Sequence, residues 1–275
     1  MDPRASSPVA PLMAGAAVLC PGLIRVVAPN PSALTLDGTN TYVAFGADRR
    51  GIVVDPGPAI ASHLELLSVV VESEGIKVDA VVTTHSHPDH SEALEEIGER
   101  LAARPIKAED FRSEAARSRL SPWFTVVLTP GHSSDHVCYL TGDGALLTGD
   151  HVLGRGTTAV LYPDGNLADY LASLSRITEI DFSLIAPGHG PSLEAPLARA
   201  TLRYYLAHRL ERIEQVLAVV KKPASLEAIV KALYGVLLDP QLDRAATAST
   251  LAAVNYLIER GSVSENEGRF YAASR

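Results

Sequence analysis

The 275-residue chain has little of what marks several classes of protein. Its only cysteines, Cys20 and Cys138, are too few for a disulfide framework and lack the spacing of a metal-binding motif. No stretch approaches the roughly 18 unbroken apolar residues that a membrane-spanning helix needs. The apolar run 13–20 is short, is broken by Gly15 and shows no convincing cleavage site for a signal peptide. We therefore expect reduced cysteines, no membrane partner and a cytoplasmic location.

Basic and aromatic residues are also scarce. Lys and Arg number 24 against 32 Asp and Glu, the formal net charge is −8, and aromatic residues make up 5% of the chain. A nucleic-acid-coating protein is normally basic, and stacking on single strands needs aromatic side chains along a basic strip. Residues 1–202 carry 14 basic and 24 acidic side chains, a net of −10, whereas residues 203–275 carry 10 and 8, a net of +2. This balance argues against double-stranded DNA as a partner.

The pattern of the first two thirds predicts an α/β fold. Hydrophobic residues make up 47% and charged residues 20% of the chain, the balance of an ordinary globular protein. Short β-branched runs alternate with helical patterns, and the strands outnumber the helices. We therefore expect a layered α/β arrangement with a substantial antiparallel share.

The last third of the chain changes to helical patterns. A long amphipathic helix is followed by a second helix capped by Ser225 and by a third that ends at Gly261. Residues 262–272 then predict a hairpin. Three helices followed by a hairpin is the order of elements in a small winged-helix domain, and a helical cap on the main domain is the alternative. We accordingly predict two domains, residues 1–200 and 201–275.

Metal-binding side chains are concentrated at the end of one predicted strand. After a β-branched run that ends at Thr84, four of them follow within six residues: His85, His87, Asp89 and His90. In an extended chain, alternate side chains lie on the same side, so His85 and His87 point in the same direction. Pro88 then begins a helix that presents the side chains of Asp89 and His90. Scattered histidines usually cap helices or lie on surfaces, but this density predicts a metal site. The ligand types suit Zn²⁺, with Mn²⁺ or iron as alternatives.

Three more residues of this kind follow other predicted strands. They are His132 in TPGH, Asp150 in LLTGD and His189 in APGHG. Loops on a rigid sheet gather functional groups, so these residues can join the first four in one site. Two imidazoles on one side, and a carboxylate with an imidazole on the other, can serve two separate ions. The carboxylate of Asp150 could bridge them.

Together these segments resemble the metallo-β-lactamase superfamily, in which the same ordered series builds a two-metal site. The resemblance implies a four-layer αβ/βα sandwich, followed here by a small, mostly helical, winged-helix-like domain. It implies two Zn²⁺ ions, with Mn²⁺ or iron not excluded. By this match the first ion is held by His85, His87 and His132. The second is held by Asp89, His90 and His189, and Asp150 bridges the two.

Further motifs resemble the narrower β-lactamase-like protein 2 group. They are residues 30–42, 131–136 and 163–170, together with the entry to the tail at His208-Arg209. In animals that group is linked to the cleavage of single-stranded RNA. The polar turn of Asp37, Thr39 and Asn40 before a predicted strand is explained by a hairpin alone. The resemblance implies instead that these three residues form a wall of the active-site cleft.

The expected mechanism is hydrolysis by a hydroxide that bridges two cations, because two bridged cations lower the pKa of a water between them. Asp89 is the candidate that orients this hydroxide. His136 is a candidate for protonating the leaving group, and a structural hydrogen-bonding role is its alternative. Asp55, which precedes a Pro-Gly turn, is expected to fix the metal-binding loops from behind.

Two hydrolase functions remain open on the sequence. Single-stranded RNA is favoured by the resemblance and by the mildly basic tail. A small thioester, ester or lactone is favoured by the acidic body, without glutathione specificity because the C-terminal basic cluster of glyoxalase II is missing. β-Lactamase activity and a DNA-binding sensor rank below both, since residues 245–257 of the third helix lack Lys and Arg. That apolar helix also suits a dimer surface, so a homodimer is an open alternative.

Overall fold

Two β-sheets form the centre of the computed structural model, which describes residues 1–4, 12–120, 123–236 and 239–273. The first sheet has six strands in chain order: β1 (Gly15–Cys20), β2 (Leu23–Val27), β3 (Asn40–Phe45), β4 (Arg50–Val54), β5 (Lys77–Val82) and β6 (Arg104–Ile106). Strands β1 to β4 are antiparallel, and β5 and β6 continue the sheet in parallel with β4. Parallel neighbours need crossover connections, which helices provide here.

The second sheet has five strands in the order β11-β10-β9-β8-β7. Their bounds are β7 (Phe124–Leu128), β8 (Val137–Thr141), β9 (Ala145–Gly149), β10 (Leu184–Pro187) and β11 (Leu193–Glu194). Only the pairing of β9 with β10 is parallel among the pairs that the structure describes in this sheet. A third, small sheet near the C-terminus contains β12 (Ala224–Ser225), β14 (Arg269–Ala272) and β13 (Val263–Asn266), in that order.

Eight α-helices are described: α1 (Ala61–Ser73), α2 (Pro88–Ser91), α3 (Leu94–Arg100), α4 (Glu114–Arg117), α5 (Leu167–Thr178), α6 (Ala195–Val219), α7 (Leu226–Tyr234) and α8 (Pro240–Glu259). Helix α5 begins at an N-cap, because the Asn166 side chain accepts a hydrogen bond of 3.0 Å from the backbone N–H of Asp169. None of the helices in the described part of the chain is long and apolar enough to cross a membrane.

The two large sheets pack face to face, with helices on both outer faces. Alternate residues of each strand point to opposite sides of its sheet. In β5, Val82 faces the core between the sheets, whereas Val81 faces α1 and α3. In β9, Leu147 faces the same inner core, whereas Leu146 packs on the side of α5 and α6. The layers are therefore helix, sheet, sheet and helix, which confirms the predicted four-layer α/β sandwich.

The C-terminal helices share a core with the second sheet. One buried cluster joins Ile185 of β10 and Leu202 of α6 to Val254 of α8 and Phe270 of β14. Helix α6 is continuous across residue 200, so the predicted domain boundary falls inside a helix. The region 201–273 contributes the rest of α6, two further helices and the small sheet. Its assignment as a separate winged-helix domain stays a prediction.

Two helix boundaries differ from those that the sequence pattern predicts. The sequence predicts two starts for this helix: Pro88 in its first turn, and Ser91 as the N-cap of a helix from Ser91 to Ala103. The second prediction is wrong. Pro88 already begins α2, and Ser91 is the last residue of that short helix. The Ser91 hydroxyl therefore donates to the carbonyls of Ser86 and His87, both at 3.0 Å.

The last helix begins earlier than the pattern predicts. Apolar periodicity predicts a start at about Asp243, but α8 begins at Pro240. Asp239 caps it by accepting a hydrogen bond of 2.7 Å from the backbone N–H of Gln241. Proline fits the first helical turn because it has no N–H to leave unpaired. The start of α8 is therefore marked by Asp239 and Pro240, which a search for apolar periodicity does not detect.

Helix α6 supplies a matched test of the shared core. Leu202 is 1% exposed in this core, whereas Leu210 on the same helix is 54% exposed. We expect Leu202→Ala to lower the free energy of unfolding by about 2–5 kcal/mol, because it removes buried methyl groups and leaves a cavity. Leu210→Ala should change it by no more than about 0.5 kcal/mol. Urea denaturation measures both, and equal losses would contradict the described packing.

Candidate metal centre

Four loops at one end of the two large sheets carry the predicted ligand residues. The loops follow β5, β7, β9 and β10. They bring all seven side chains together: His85, His87, Asp89, His90, His132, Asp150 and His189. Within this set, three overlapping groups of three have ligand atoms that all lie within 4.8 Å of one another. The ligand atoms of each group are thus close enough to one another to bind a metal ion.

The first trio consists of His85, His87 and His132. The Nε2 atom of His85 lies 2.9 Å from Nδ1 of His87, and Nε2 of His132 lies 3.1 Å from that same Nδ1 atom. Tetrahedral zinc with Zn–N bonds of about 2.0–2.1 Å places its ligand nitrogens roughly 3.3–3.4 Å apart. The three imidazoles therefore have nearly the spacing that one cation requires.

The second trio consists of Asp89, His90 and His189. The Nε2 atom of His189 lies 3.2 Å from Asp89 Oδ2 and 3.2 Å from His90 Nε2. Asp150 lies between the two trios. Its Oδ1 is 3.4 Å from Nε2 of both His90 and His189, and its Oδ2 is 3.7 Å from His132 Nε2. One carboxylate oxygen thus faces each trio, as a bridging ligand does.

Hydrogen bonds on the outer side fix the tautomers of four histidines. Backbone carbonyls can only accept, so Nδ1 of His132 donates to Ala159 at 2.6 Å and Nδ1 of His189 donates to Gly38 at 3.2 Å. Nδ1 of His90 lies 2.9 Å from a carboxylate oxygen of Asp55. The Nε2 lone pairs of these histidines consequently point inward.

His85 is oriented in the same way through a hydroxyl. Thr84 Oγ1 donates to Asp55 Oδ2 at 2.8 Å, so it accepts from Nδ1 of His85 at 3.0 Å. Inside the first trio, the lone pairs of His85 and His132 both face Nδ1 of His87. A proton on Nδ1 of His87 can form a hydrogen bond to only one of these two lone pairs. A metal cation between the rings can bind all three nitrogens. The residues present therefore fit a metal ion.

Asp55 supports the metal-binding loop after β5 from behind, at Thr84 and at His90, as its Pro-Gly context suggests. One oxygen accepts from the backbone N–H of Thr84 at 2.6 Å, and the other accepts from the Thr84 hydroxyl and from His90. Its side chain is buried, and its φ of 52° lies in the left-handed region that aspartate tolerates better than most residues. It does not reach the cleft.

Two glycines let the loops approach one another. A Cβ atom at Gly188 would lie 2.6 Å from Asp150 Oδ1 and 2.7 Å from His90 Cε1. One at Gly149, whose φ is 46°, would lie 2.4 Å from the Thr84 hydroxyl oxygen. Any side chain at either position would push a ligand or its support out of place.

The two trios have opposite electrostatic environments. Burial lowers the pKa of His132 to about 4, and burial with neighbouring histidines lowers the pKa of His85. Burial also opposes the charged form of His189, but Asp150 and Asp89 outweigh it and raise the pKa of His189 to about 9. Burial opposes the charged form of His90 as well, but Asp150 and Asp55 outweigh it and raise the pKa of His90. Without metal, the second trio therefore attracts protons.

Other candidate residues lie behind the trios. His136 is 1% exposed, its ring centre lies 5.3 Å from that of His85, and its Nδ1 lies 2.9 Å from the Thr129 hydroxyl. A group that protonates a leaving group must reach the substrate, so this position gives no support to the acid role predicted for His136. It fits the structural alternative, packing under His85.

The polar turn before β3 also differs from the expected wall of the cleft. Thr39 and Asn40 are fully buried. The Asn40 side chain donates to the carbonyls of Pro187 and Gly190, both at 2.8 Å, and so braces the turn that carries His189. Asp37 pairs with Arg155 at 2.5 Å.

Apart from Asp55, the groups that orient the histidines are not predicted from the sequence. Thr84 carries one signal, because it is a polar residue between a β-branched strand and the first metal-binding histidine. Ala159 and Gly38 carry none, since they act through backbone carbonyls that every residue possesses.

Similarity to known proteins identifies the family of this chain. Residues 34–127 match the metallo-beta-lactamase superfamily. The chain is 32% identical over 249 residues to the beta-lactamase-like protein 2 homolog of Drosophila melanogaster, which covers 78% of this chain and 81% of that protein. The chain belongs to the metallo-β-lactamase superfamily. Its members are metal-dependent hydrolases, so the protein is an enzyme of this class. The resemblance to the β-lactamase-like protein 2 group is confirmed.

Solved structures of the superfamily show the same fold. A beta-lactamase domain protein from Burkholderia ambifaria aligns with a TM-score of 0.76 at 24% identity, covering 98% of this chain and 96% of that one. A metallo-beta-lactamase family protein from Thermus thermophilus aligns with a TM-score of 0.73 at 24% identity, covering 93% of this chain and 100% of that one.

Metal binding by this superfamily member should release protons. The raised pKa of about 9 keeps His189 protonated at pH 7 in the metal-free protein, and this proton is lost as the pH rises through 9. A cation bound at Nε2 must displace it, so zinc affinity should increase with pH and proton release should decrease above pH 9. Calorimetry at pH 7 in two buffers of different ionisation enthalpy measures the release. His189→Ala should release fewer protons than the wild type. A heat of zinc binding that is the same in both buffers would contradict this expectation.

Proposed function

We propose that this hydrolase cleaves phosphodiester bonds in single-stranded RNA with the help of two divalent cations, zinc being the first candidate. The observation that carries the proposal is the pair of trios that share Asp150. Two cations held by these trios would stabilise both the attacking and the leaving oxygen of an in-line displacement. The group resemblance supplies the choice of RNA. It is supported by the 81% coverage of a beta-lactamase-like protein 2 homolog.

When bound, the cations would supply an activated water and would stabilise the negative charge that develops on the phosphate. Asp89 is the residue of this chain that can direct the water. Its side chain is 30% exposed, compared with 13% for Asp150. Burial by itself raises the pKa of Asp89, but His90 and a hydrogen bond from His189 lower this pKa by more than burial raises it. The carboxylate therefore stays ionised and accepts a hydrogen bond.

Two segments beside the metal-binding loops carry an exposed aromatic ring and a partly exposed cation. Tyr162 is 43% exposed and belongs to the segment that packs against the carbonyl of His132 at Gly165. Exposed aromatic rings bind single strands by stacking on bases, whatever the sequence. Arg155 lies beside the turn that carries His189, and its side chain is 33% exposed although it pairs with Asp37.

Hydrolysis of a small thioester, ester or lactone is the second candidate. The observation that favours it is the net charge of −10 on residues 1–202, which repels a polyanion except where cations lie. A small neutral substrate does not meet this repulsion. The same two trios would serve it, because carbonyl hydrolysis needs the same activated water.

The proposal includes a cytoplasmic location. Both cysteines are free, and burial raises the pKa of Cys138 to about 12, which keeps its thiol unreactive. A reducing compartment suits such residues. A homodimer and the absence of double-stranded DNA and membrane partners remain part of this proposal.

RNA cleavage by matched variants tests the function. Zinc-loaded wild-type protein should cut an end-labelled single-stranded RNA. His85→Ala should lower the rate by at least about 100-fold, because it removes a metal ligand, and this costs more than removing a residue that only supports a ligand. His208→Ala is the control, since His208 lies on α6 outside both trios.

The same preparations should be assayed with a thioester and a lactone. Intact RNA together with His85-dependent hydrolysis of either small substrate would contradict the RNA proposal and support the second candidate. RNA cleavage that persists in His85→Ala would show that the activity does not come from this centre.

A further inference from the structure

A backbone segment of residues 153–160 joins the metal centre to the C-terminal helices. On the side of the metal centre, the carbonyl of Ala159 accepts the hydrogen bond of 2.6 Å from Nδ1 of His132. The hydroxyl of Thr158 donates to the backbone carbonyl of Asp150. The segment thus orients one histidine of the first trio and holds the residue that faces both trios.

The other side of this segment is held by residues from beyond position 200. On α6, the Tyr205 hydroxyl accepts from the backbone N–H of Leu153 at 3.0 Å and donates to the carbonyl of Gly156 at 3.2 Å. On α8, Ser249 Oγ accepts from the backbone N–H of Val160 at 3.2 Å. Three successive points of the segment are therefore fixed by the C-terminal helices.

Arg209 makes a charged contact with the same segment, one residue before the carbonyl that holds His132. Its guanidinium donates to the carbonyl of Thr158, the residue directly before Ala159. The residue is 6% exposed, and its guanidinium carbon lies 5.2 Å from the centre of the Tyr170 ring. A buried cation needs strong partners, and a charged donor makes a stronger hydrogen bond than a neutral one. The position of Thr158, and with it that of Ala159, is tightly set.

We propose that the C-terminal helices position the metal ligands, and that Arg209 is the principal positioning residue. It acts through Thr158 and Ala159 on His132, and it touches neither the trios nor a substrate. This role differs from RNA binding, which the group resemblance and the +2 charge suggest for the tail. Because Arg209 points inward, its charge is not offered to a nucleic acid. The inference depends on the metal centre of the proposed function, but not on the bond that is cut.

Helix α6 supplies a matched control residue. The guanidinium of Arg212 donates to the carbonyl of Leu233 at 3.1 Å and lies 4.5 Å from the centre of the Tyr234 ring. It therefore contacts one carbonyl and one aromatic ring, as Arg209 does, and also donates to the side chain of Gln215 at 3.0 Å. All of these contacts lie within the C-terminal region and away from residues 153–160. Loss of either arginine removes a similar interaction from the same helix.

The test compares Arg209→Met, Arg209→Lys and Arg212→Met in the full-length chain. Zinc affinity is measured by competition with a chelator, and the geometry of the site by the visible absorption of the cobalt-substituted protein. Arg209→Met should bind zinc about 10–100-fold more weakly and change the cobalt spectrum, the range seen when a ligand loses its support. Arg209→Lys keeps a charged donor and should lose less. Arg212→Met should retain wild-type affinity and spectrum.

Two results would overturn the inference while the wild type still binds zinc: wild-type affinity and spectrum in Arg209→Met, or an equal loss in Arg212→Met. Failure of the wild type to bind zinc would instead contradict the proposed function. If Arg209→Met does not fold, Tyr205→Phe serves in its place, because it removes two hydrogen bonds to the segment and keeps the ring. It should weaken zinc binding by about fivefold, and an unchanged affinity would overturn the inference.

Discussion

Unpaired lone pairs that face one another are the constraint around which this structure is organised. Nitrogen and oxygen atoms of seven side chains meet at separations of 2.9–3.7 Å, and outer hydrogen bonds direct the Nε2 lone pairs of four histidines inward. Such an arrangement is repulsive unless positive charge lies within it. A protein that maintains it must hold each side chain firmly and take up positive charge, as protons in the second trio when metal is absent and as metal ions when they bind.

The surrounding fold meets this requirement in layers. The two sheets end at the same edge, so that four loops deliver ligands from four different strands. Behind them, Asp55 holds two histidines, directly and through Thr84, and Asn40 braces the turn that carries His189. Glycines at 149 and 188 leave the space that the ligands need. The C-terminal helices, which share a core with the second sheet, are the outermost part of the same support.

The ligands could be predicted from the sequence because they are side chains of rare types at regular positions after β-branched strands. The alternation of His85 and His87 and the helix start at Pro88 also follow from local geometry. By contrast, the carbonyls of Ala159 and Gly38 leave no mark in a sequence, since every residue has one. The interior place of His136 depends on how two sheets pack, and the sharing of α6 between two parts of the chain depends on contacts between residues far apart in sequence, such as Arg209 with Thr158.

Anomalous X-ray diffraction from zinc-loaded crystals, measured on both sides of the zinc absorption edge, shows directly how many ions the seven side chains hold. Two zinc peaks are expected, one among His85, His87 and His132 and the other among Asp89, His90 and His189, with Asp150 between them. A single peak shared by both trios, or zinc bound only elsewhere on the protein, would contradict a two-metal centre.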